Sequence, residues 1–220
     1  MTPFITVSGV AAPLARSDVD TDAVIPVPWM KAIEPDYAKA LFANWRWKDG
    51  DGITEIPDFV LNQPPFRKAC ILVAGINFGC GSSREAAVWA LQGFGIRCVI
   101  APSFGDIFHD NAYKNGLLPL VLPEPQVGAL LAALDQRVGG ARMTVDLQTQ
   151  TLTTPDGTAL TFSIDPSRRA ALLAGLDEVG VTLTHRDAIA AFQSRDRAQR
   201  PWIYDPPLDH PPPYRSTRQP

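Results

Sequence analysis

Three features of the sequence predict an α/β fold. Two continuous apolar runs, Ala69–Ala74 and Cys98–Ala101, have the length and composition of strands that are buried on both faces. A glycine-rich loop and a helical segment lie between them, so the region predicts a βαβ unit with parallel strands. After residue 140, apolar residues alternate with polar ones, as they do in a hairpin with one solvated face.

The chain before the first apolar run predicts few regular elements. Residues 4–10 predict a short strand, and residues 36–46 predict a short helix with apolar side chains at helical spacing. Residues 18–30 are expected to form an extended loop, because Pro26 and Pro28 are incompatible with a helix interior.

A helix is expected to begin where the glycine-rich loop ends. Ser82 and Glu85 have the spacing of a capping box with Ser82 as the N-cap, and the helix then runs to about Leu91. Apolar periodicity and the positions of glycine and proline give the remaining elements. These are helices at 104–115, 125–138, 165–173 and 184–192, a strand at 117–122, and hairpin strands around 143–147 and 160–164.

Length and composition indicate one domain with a C-terminal tail. The chain has 220 residues, and seven of its 21 prolines lie beyond residue 200. We therefore expect a domain at residues 1–195 and a Pro- and Arg-rich tail at residues 196–220 that is extended or disordered.

Charge, hydropathy and cysteine content argue against several classes of function. A net charge of −3 gives no basic surface for nucleic acid. The sequence has neither an apolar run of membrane-helix length nor the features of a signal peptide at its start. Three cysteines, an odd number, indicate reduced thiols in a cytoplasmic protein. They lack the close C-x₂-C pair that is usual at iron–sulfur sites, so we expect no metal in this chain.

The segment Gly79–Arg84 is the strongest candidate for a functional site. Its glycines let the backbone approach a ligand, and the following helix start offers free N–H groups and a positive dipole end. Two hydroxyls and a guanidinium at the same place can bind a carboxylate. The segment matches neither a P-loop nor a dinucleotide fingerprint, so it indicates a small anion. The alternative is a well-capped helix whose arginine lies along the surface.

Several separate motifs follow one another along the chain, from about residue 4 to residue 194. They are Asp18–Asp22, Pro57–Asn62, Gly75–Glu85, Trp89–Leu91, Ala101–Phe104, Lys114–Pro119 and Gly175–Asp177. Together they resemble the small-subunit family of 3-isopropylmalate dehydratase, an aconitase-type hydro-lyase. The resemblance implies a swivelling β/β/α domain that is similar to the mobile C-terminal domain of aconitase.

The resemblance also implies an activity and a partner. Enzymes of this family isomerise 2-isopropylmalate and 3-isopropylmalate through 2-isopropylmaleate in leucine biosynthesis. Their large subunit holds a [4Fe–4S] cluster, so this chain is expected to carry no cofactor. It is expected to form a heterodimer with the large subunit, to bind a dicarboxylate there and to be inactive alone.

The same resemblance gives roles to individual residues. Ser82 corresponds to the base that removes a proton from the carbon next to a carboxylate, and Arg84 to the arginine that grips a substrate carboxylate. Asp22 corresponds to an active-site aspartate, which we interpret as an orienting group for a histidine or a water from the large subunit; the alternative is a turn-capping residue. Further substrate-binding candidates are Gly81, Ser83, Val27, Trp29 and Met30. For Trp29 and Met30, packing at the subunit interface is an equal alternative.

One departure from the family pattern leaves the substrate open. Ala86 stands where the family usually has histidine after the Arg-Glu pair. The alternative reading is a related small subunit that acts on another 2-hydroxy diacid, such as citramalate or citraconate, dimethylmalate or homoaconitate. An alternative of another class is a non-catalytic module that binds an anion or RNA. The net charge of −3 disfavours RNA.

Overall fold

The described part of residues 1–177 is built around one mixed sheet of seven strands. The structure is a computed structural model that describes residues 1–31, 33–136 and 139–204. The strands are β1 (Thr6–Leu14), β2 (Ile71–Ala74), β3 (Cys98–Ala101), β4 (Leu118–Val121), β5 (Ala141–Asp146), β6 (Thr151–Thr153) and β7 (Ala159–Thr161). Their order in the sheet is β4-β3-β2-β1-β5-β6-β7.

The sheet is parallel on one side of β1 and antiparallel on the other. β1 to β4 pair in parallel, with Ala11 opposite Ile71, Ile71 opposite Cys98 and Cys98 opposite Leu118. β5, β6 and β7 continue the sheet as antiparallel neighbours. The predicted βαβ unit is therefore confirmed. Because β1 to β4 are parallel, the loops that follow them lie at the same edge of the sheet, the one formed by the carboxyl ends of the strands.

Helices cover the sheet on both faces and complete two cores. In residues 1–177 these helices are α1 (Thr21–Val24), α2 (Val27–Met30), α3 (Tyr37–Ala40), α4 (Ala43–Arg46), α5 (Glu85–Phe94), α6 (Asp106–Asn115), α7 (Glu124–Asp135) and α8 (Pro166–Ala174). The helices after residue 177 are α9 (Glu178–Leu183), α10 (Arg186–Gln199) and α11 (Pro201–Tyr204), which belong to a separate unit. Alternate residues of β2 face opposite cores: Leu72 packs with the side chains of α5 and α6, and Ile71 with those of α7 and α8. The prediction of strands buried on both faces is confirmed.

The loop predicted for residues 18–30 is wrong, because α1 and α2 form there. Pro28 is tolerated in α2 since it lies in the first turn, where a backbone N–H has no partner inside the helix. The single helix predicted for residues 36–46 is also wrong. Phe42 adopts a left-handed conformation with φ of 50° and separates α3 from α4.

The capping box predicted at Ser82 is wrong as well. α5 begins at Glu85, and its N-cap is Arg84, which is extended with φ of −141° and makes no side-chain capping hydrogen bond. The helix also continues beyond Leu91 to Phe94, where Gly95 ends it in the left-handed conformation. Ser82 therefore lies in the loop and not in the helix.

The predicted hairpin after residue 140 contains one more strand than expected. β6 lies between β5 and β7, and Leu152 of β6 is buried opposite Val145. α8 agrees with its prediction: the Asp165 carboxylate caps it by accepting from the Ser167 and Arg168 N–H groups, and Gly175 ends it. Val138, predicted to end the helix at 125–138, lies outside the described residues.

The described residues after Asp177, residues 178–204, form a second unit. α9 was not predicted, and α10 extends well beyond the helix expected at residues 184–192. The boundary predicted at residue 195 lies inside α10, and helical structure continues to Tyr204 where the sequence predicts extended chain. Residues 205–220 of the predicted tail lie outside the described residues. Within the described part, every helix is too short or too polar to cross a membrane.

Candidate active site

Three loops meet at the edge where the parallel strands end. They follow β1, β2 and β3, and in open α/β sheets this edge is where ligands bind. The loop after β2 contains Gly79–Arg84 and leads into α5. The loop after β1 leads into α1 and contains Asp18–Asp22.

Backbone hydrogen bonds fix the first two loops against each other. Asp20 and Cys80 form a parallel bridge, and the Gly79 N–H donates to Val19 O at 2.7 Å. Thr21 makes two further bonds, from its N–H to Cys80 O at 3.0 Å and from its Oγ1 to Ser82 O at 2.7 Å. Thr21 is buried, so its hydroxyl fixes the Ser82 backbone from the protein interior.

The loop after β3 supports the glycine-rich loop from the other side. The Phe78 N–H donates to Ser103 O at 3.0 Å, and the Gly105 N–H donates to Phe78 O at 2.9 Å. A Cβ at Gly105 would lie 2.5 Å from Gly79 O, so this approach requires glycine.

Gly79 is expected to be essential for the stability of this arrangement. Its φ is +75°, and a Cβ there would lie 2.3 Å from the Phe108 ring. Gly79→Ala should therefore lower the free energy of unfolding by about 3 kcal/mol, from backbone strain and overpacking together. Urea denaturation checks this, with Gly128→Ala on α7 as control, because nothing lies within 4 Å of that Cβ. Equal stability of the two variants would contradict the close packing.

Arg84 and Asp22 form an ion pair between the two loops. Arg84 Nη1 donates to Asp22 Oδ1. The Arg84 side chain is 18% exposed and that of Asp22 is 52% exposed, so the guanidinium lies beneath a carboxylate that solvent reaches. The structure thus brings together two residues that the sequence analysis selected separately.

The start of α5 is open beside this ion pair. Gly81, Ser82 and Ser83 are exposed. Among the described residues, the hydroxyls of both serines and the N–H groups of residues 82–86 have no hydrogen-bond partner. A cation, unpaired hydroxyls and unpaired N–H groups at one helix start can bind a small anion.

Val27, Trp29 and Met30 lie on α2, which follows α1 closely. Val27 is exposed, while Trp29 and Met30 are half-buried and pack against the core. A Cβ at Gly52 would lie 2.4 Å from the Trp29 ring, so this indole lies directly on the Gly52 backbone. No hydrogen bond or ion pair joins these three side chains to Ser82 or Arg84 in the described residues.

Sequence reasoning missed Thr21 and Asn77 as supports of the site. Asn77 Nδ2 donates to Asp18 Oδ1 at 2.8 Å, and Asn77 has φ of +59°. The only signal for Thr21 was its position between two aspartates of a loop motif. Its partner at Ser82 is 61 residues away, so local spacing does not reveal the contact.

The three cysteines do not fit an iron–sulfur cluster. Burial raises the pKa of the Cys98 thiol far above its usual range. Burial and the charges of Asp18 and Asp20 raise the pKa of the Cys80 thiol, and burial raises that of Cys70. Metal ligation requires thiolates, which these surroundings disfavour. Within the described residues, no group of three or more His, Cys, Asp or Glu side chains could hold a metal ion.

Comparisons with known proteins identify the family of the chain. The family model for the aconitase C-terminal domain matches residues 1–125. The chain is 51% identical over 204 residues to the 3-isopropylmalate dehydratase small subunit of Roseobacter denitrificans, covering 92% of this chain and all of the relative. The chain belongs to the small-subunit family of 3-isopropylmalate dehydratase.

Further similarities extend over most of the chain. The small subunit of Paramagnetospirillum magneticum is 52% identical over 205 residues, with 92% of this chain and all of the relative covered. The C-terminal domain model of the 3-isopropylmalate dehydratase small subunit matches residues 178–205, and a LeuD_N model matches residues 129–166. A crystal structure of 3-isopropylmalate dehydratase from Methanocaldococcus jannaschii superposes with a TM-score of 0.60 at 29% identity, covering 86% of this chain and 99% of that one. The family and the fold predicted from the motifs are both confirmed.

Proposed function

We propose that this chain is the small subunit of a two-subunit hydro-lyase of leucine biosynthesis. The enzyme isomerises 2-isopropylmalate and 3-isopropylmalate through 2-isopropylmaleate. The observation that carries the proposal is the open start of α5, where Ser82 and Arg84 stand beside the five N–H groups of residues 82–86, which have no hydrogen-bond partner among the described residues. Membership of the small-subunit family supports this choice of reaction.

Arg84 binds a substrate carboxylate in this proposal. Its guanidinium has five N–H donors in a planar fork, so it can donate to Asp22 on one side and to a substrate carboxylate on the other. The role of Asp22 is then to orient Arg84, whose low exposure limits its freedom. Gly81 and Ser83 contribute to the same site through a left-handed backbone conformation and a second hydroxyl.

Ser82 acts as the base. Its Oγ, as alkoxide, takes the proton from the carbon next to the bound carboxylate, and the electron pair of that C–H bond forms the new double bond as the hydroxyl leaves. A serine is a weak base, so the alkoxide needs stabilisation by the N–H groups and the positive end of α5. Lewis-acid chemistry at the leaving hydroxyl belongs to the [4Fe–4S] cluster that we assign to the large subunit.

Recognition of the isopropyl group falls to the apolar α2 segment. Val27 offers an exposed side chain, and half-buried Trp29 and Met30 support the segment from within. Ala86 lies in the first turn of α5 and packs partly against the core, which leaves no polar group there to select a more polar substrate. We also propose a cytoplasmic location, which three unpaired thiols support.

Reconstitution tests the division of labour. The purified chain is expected to show no dehydratase activity. It supplies the base and a carboxylate-binding arginine, whereas the Lewis acid is assigned to the large subunit. Adding a cluster-loaded large subunit should produce turnover of isopropylmalate, measured by the absorbance of the unsaturated intermediate, with the large subunit alone as control. Full activity of this chain alone would contradict the proposal. Preference for citramalate, dimethylmalate or homoaconitate in a substrate panel would favour the alternative substrates.

A further inference from the structure

Asn115, the last residue of α6, is tied to the helix that carries the proposed site. Its Nδ2 donates to Glu85 Oε1 at 2.8 Å and to Asn111 O at 2.9 Å, and its Oδ1 accepts from Trp89 Nε1 at 2.9 Å. Its backbone carbonyl accepts from Gln92 Nε2 at 2.7 Å. An indole N–H only donates and a carboxylate only accepts, so these partners allow one orientation of the amide.

Without this contact, the Glu85 carboxylate could instead bind the free N–H groups at the start of α5. The sequence gives it capping-box spacing to Ser82, and a carboxylate in the first turn is attracted by the positive end of the helix. There it would occupy the free N–H groups and place a negative charge beside Ser82 and Arg84. A substrate carboxylate would then have to displace it.

We propose that Asn115 is a positioning residue that holds the Glu85 carboxylate away from the free N–H groups at the start of α5 and so keeps the carboxylate site open. Asn115 acts through Glu85 and is not itself a catalytic residue. Trp89, which completes the hydrogen bonds of the Asn115 amide, is braced in turn by an edge contact with Tyr37 at 5.6 Å between ring centroids. The inference rests on the proposed function, because it concerns the same site.

The test uses the reconstituted enzyme and two substitutions of Asn115. Asn115→Asp fills the same space but repels Glu85, and Asn115→Ala removes the contact. Both are expected to raise KM by about tenfold, the size of a capping interaction, while kcat changes less. Adding Glu85→Gln to either should return KM towards the wild-type value, because no carboxylate then competes with substrate.

Asn111→Ala is the matched control. Asn111 lies one turn earlier on α6, and its side chain forms no hydrogen bond among the described residues, so KM should not change. An unchanged KM in both Asn115 variants overturns the proposal. A raised KM that Glu85→Gln does not restore also overturns it, since a merely structural role predicts that result. Failure of the proposed function is distinguishable, because the wild-type complex itself would then lack activity.

Discussion

Replacing Ser82 with alanine in the reconstituted enzyme is expected to lower kcat by about a thousandfold and to change KM little. The hydroxyl lies in the loop, exposed and unpaired among the described residues, beside the N–H groups that would stabilise its alkoxide. Its removal deletes the proton acceptor and leaves Arg84 in place to bind substrate. Steady-state kinetics with isopropylmalate at saturating large subunit measures both constants.

Ser83→Ala is the comparison that gives this result its meaning. Ser83 is equally exposed and neighbours Ser82, but the proposal gives it binding and not proton transfer. We expect a smaller loss that falls mainly on KM. Equal losses of kcat in the two variants would show that any change in this loop disturbs the site, and the assignment of Ser82 as base would fail.

Replacing Arg84 with lysine is expected to raise KM by about thirtyfold with a smaller effect on kcat. Lysine keeps the charge but lacks the planar fork, so it cannot hold Asp22 and a substrate carboxylate together. Arg67→Lys is the control. Arg67 also pairs with a carboxylate, that of Glu55, here through two hydrogen bonds, but the pair is exposed and belongs to no proposed site. An unchanged KM for Arg84→Lys would show that Arg84 does not bind the substrate carboxylate.

The parts of the fold that could be predicted are those determined by neighbouring residues. The buried strands β2 and β3 are continuous apolar runs, and α8 has its capping aspartate, its proline and its final glycine within a few residues. The start of α5 could not be predicted in this way. Its capping-box spacing is real, but Asn115, 30 residues away, takes the Glu85 carboxylate. A tertiary contact therefore overrides a local preference.

The candidate site divides in the same manner. Ser82 and Arg84 lie in one short motif, so glycine content and helix-start chemistry identified them. The contact of Arg84 with Asp22 spans 62 residues, and only the resemblance to a family suggested that Asp22 belongs there. Proline disfavours a helix interior, so the sequence did not predict α2. Pro28 lies in the first turn of that helix, where proline is tolerated.

The central place of β1 in the sheet has a consequence for how the protein is made. Its contacts reach far along the chain: Val10 meets Cys70 across 60 residues, and Ser8 meets Thr144 across 136. Contacts of such long range form slowly, because much chain entropy is lost before they form. During synthesis, β1 leaves the ribosome before the other strands, and its edge for β5 stays unpaired until β5 has been made. An unpaired strand edge can pair with another chain, so we expect β1 to be open to aggregation until β5 has been made.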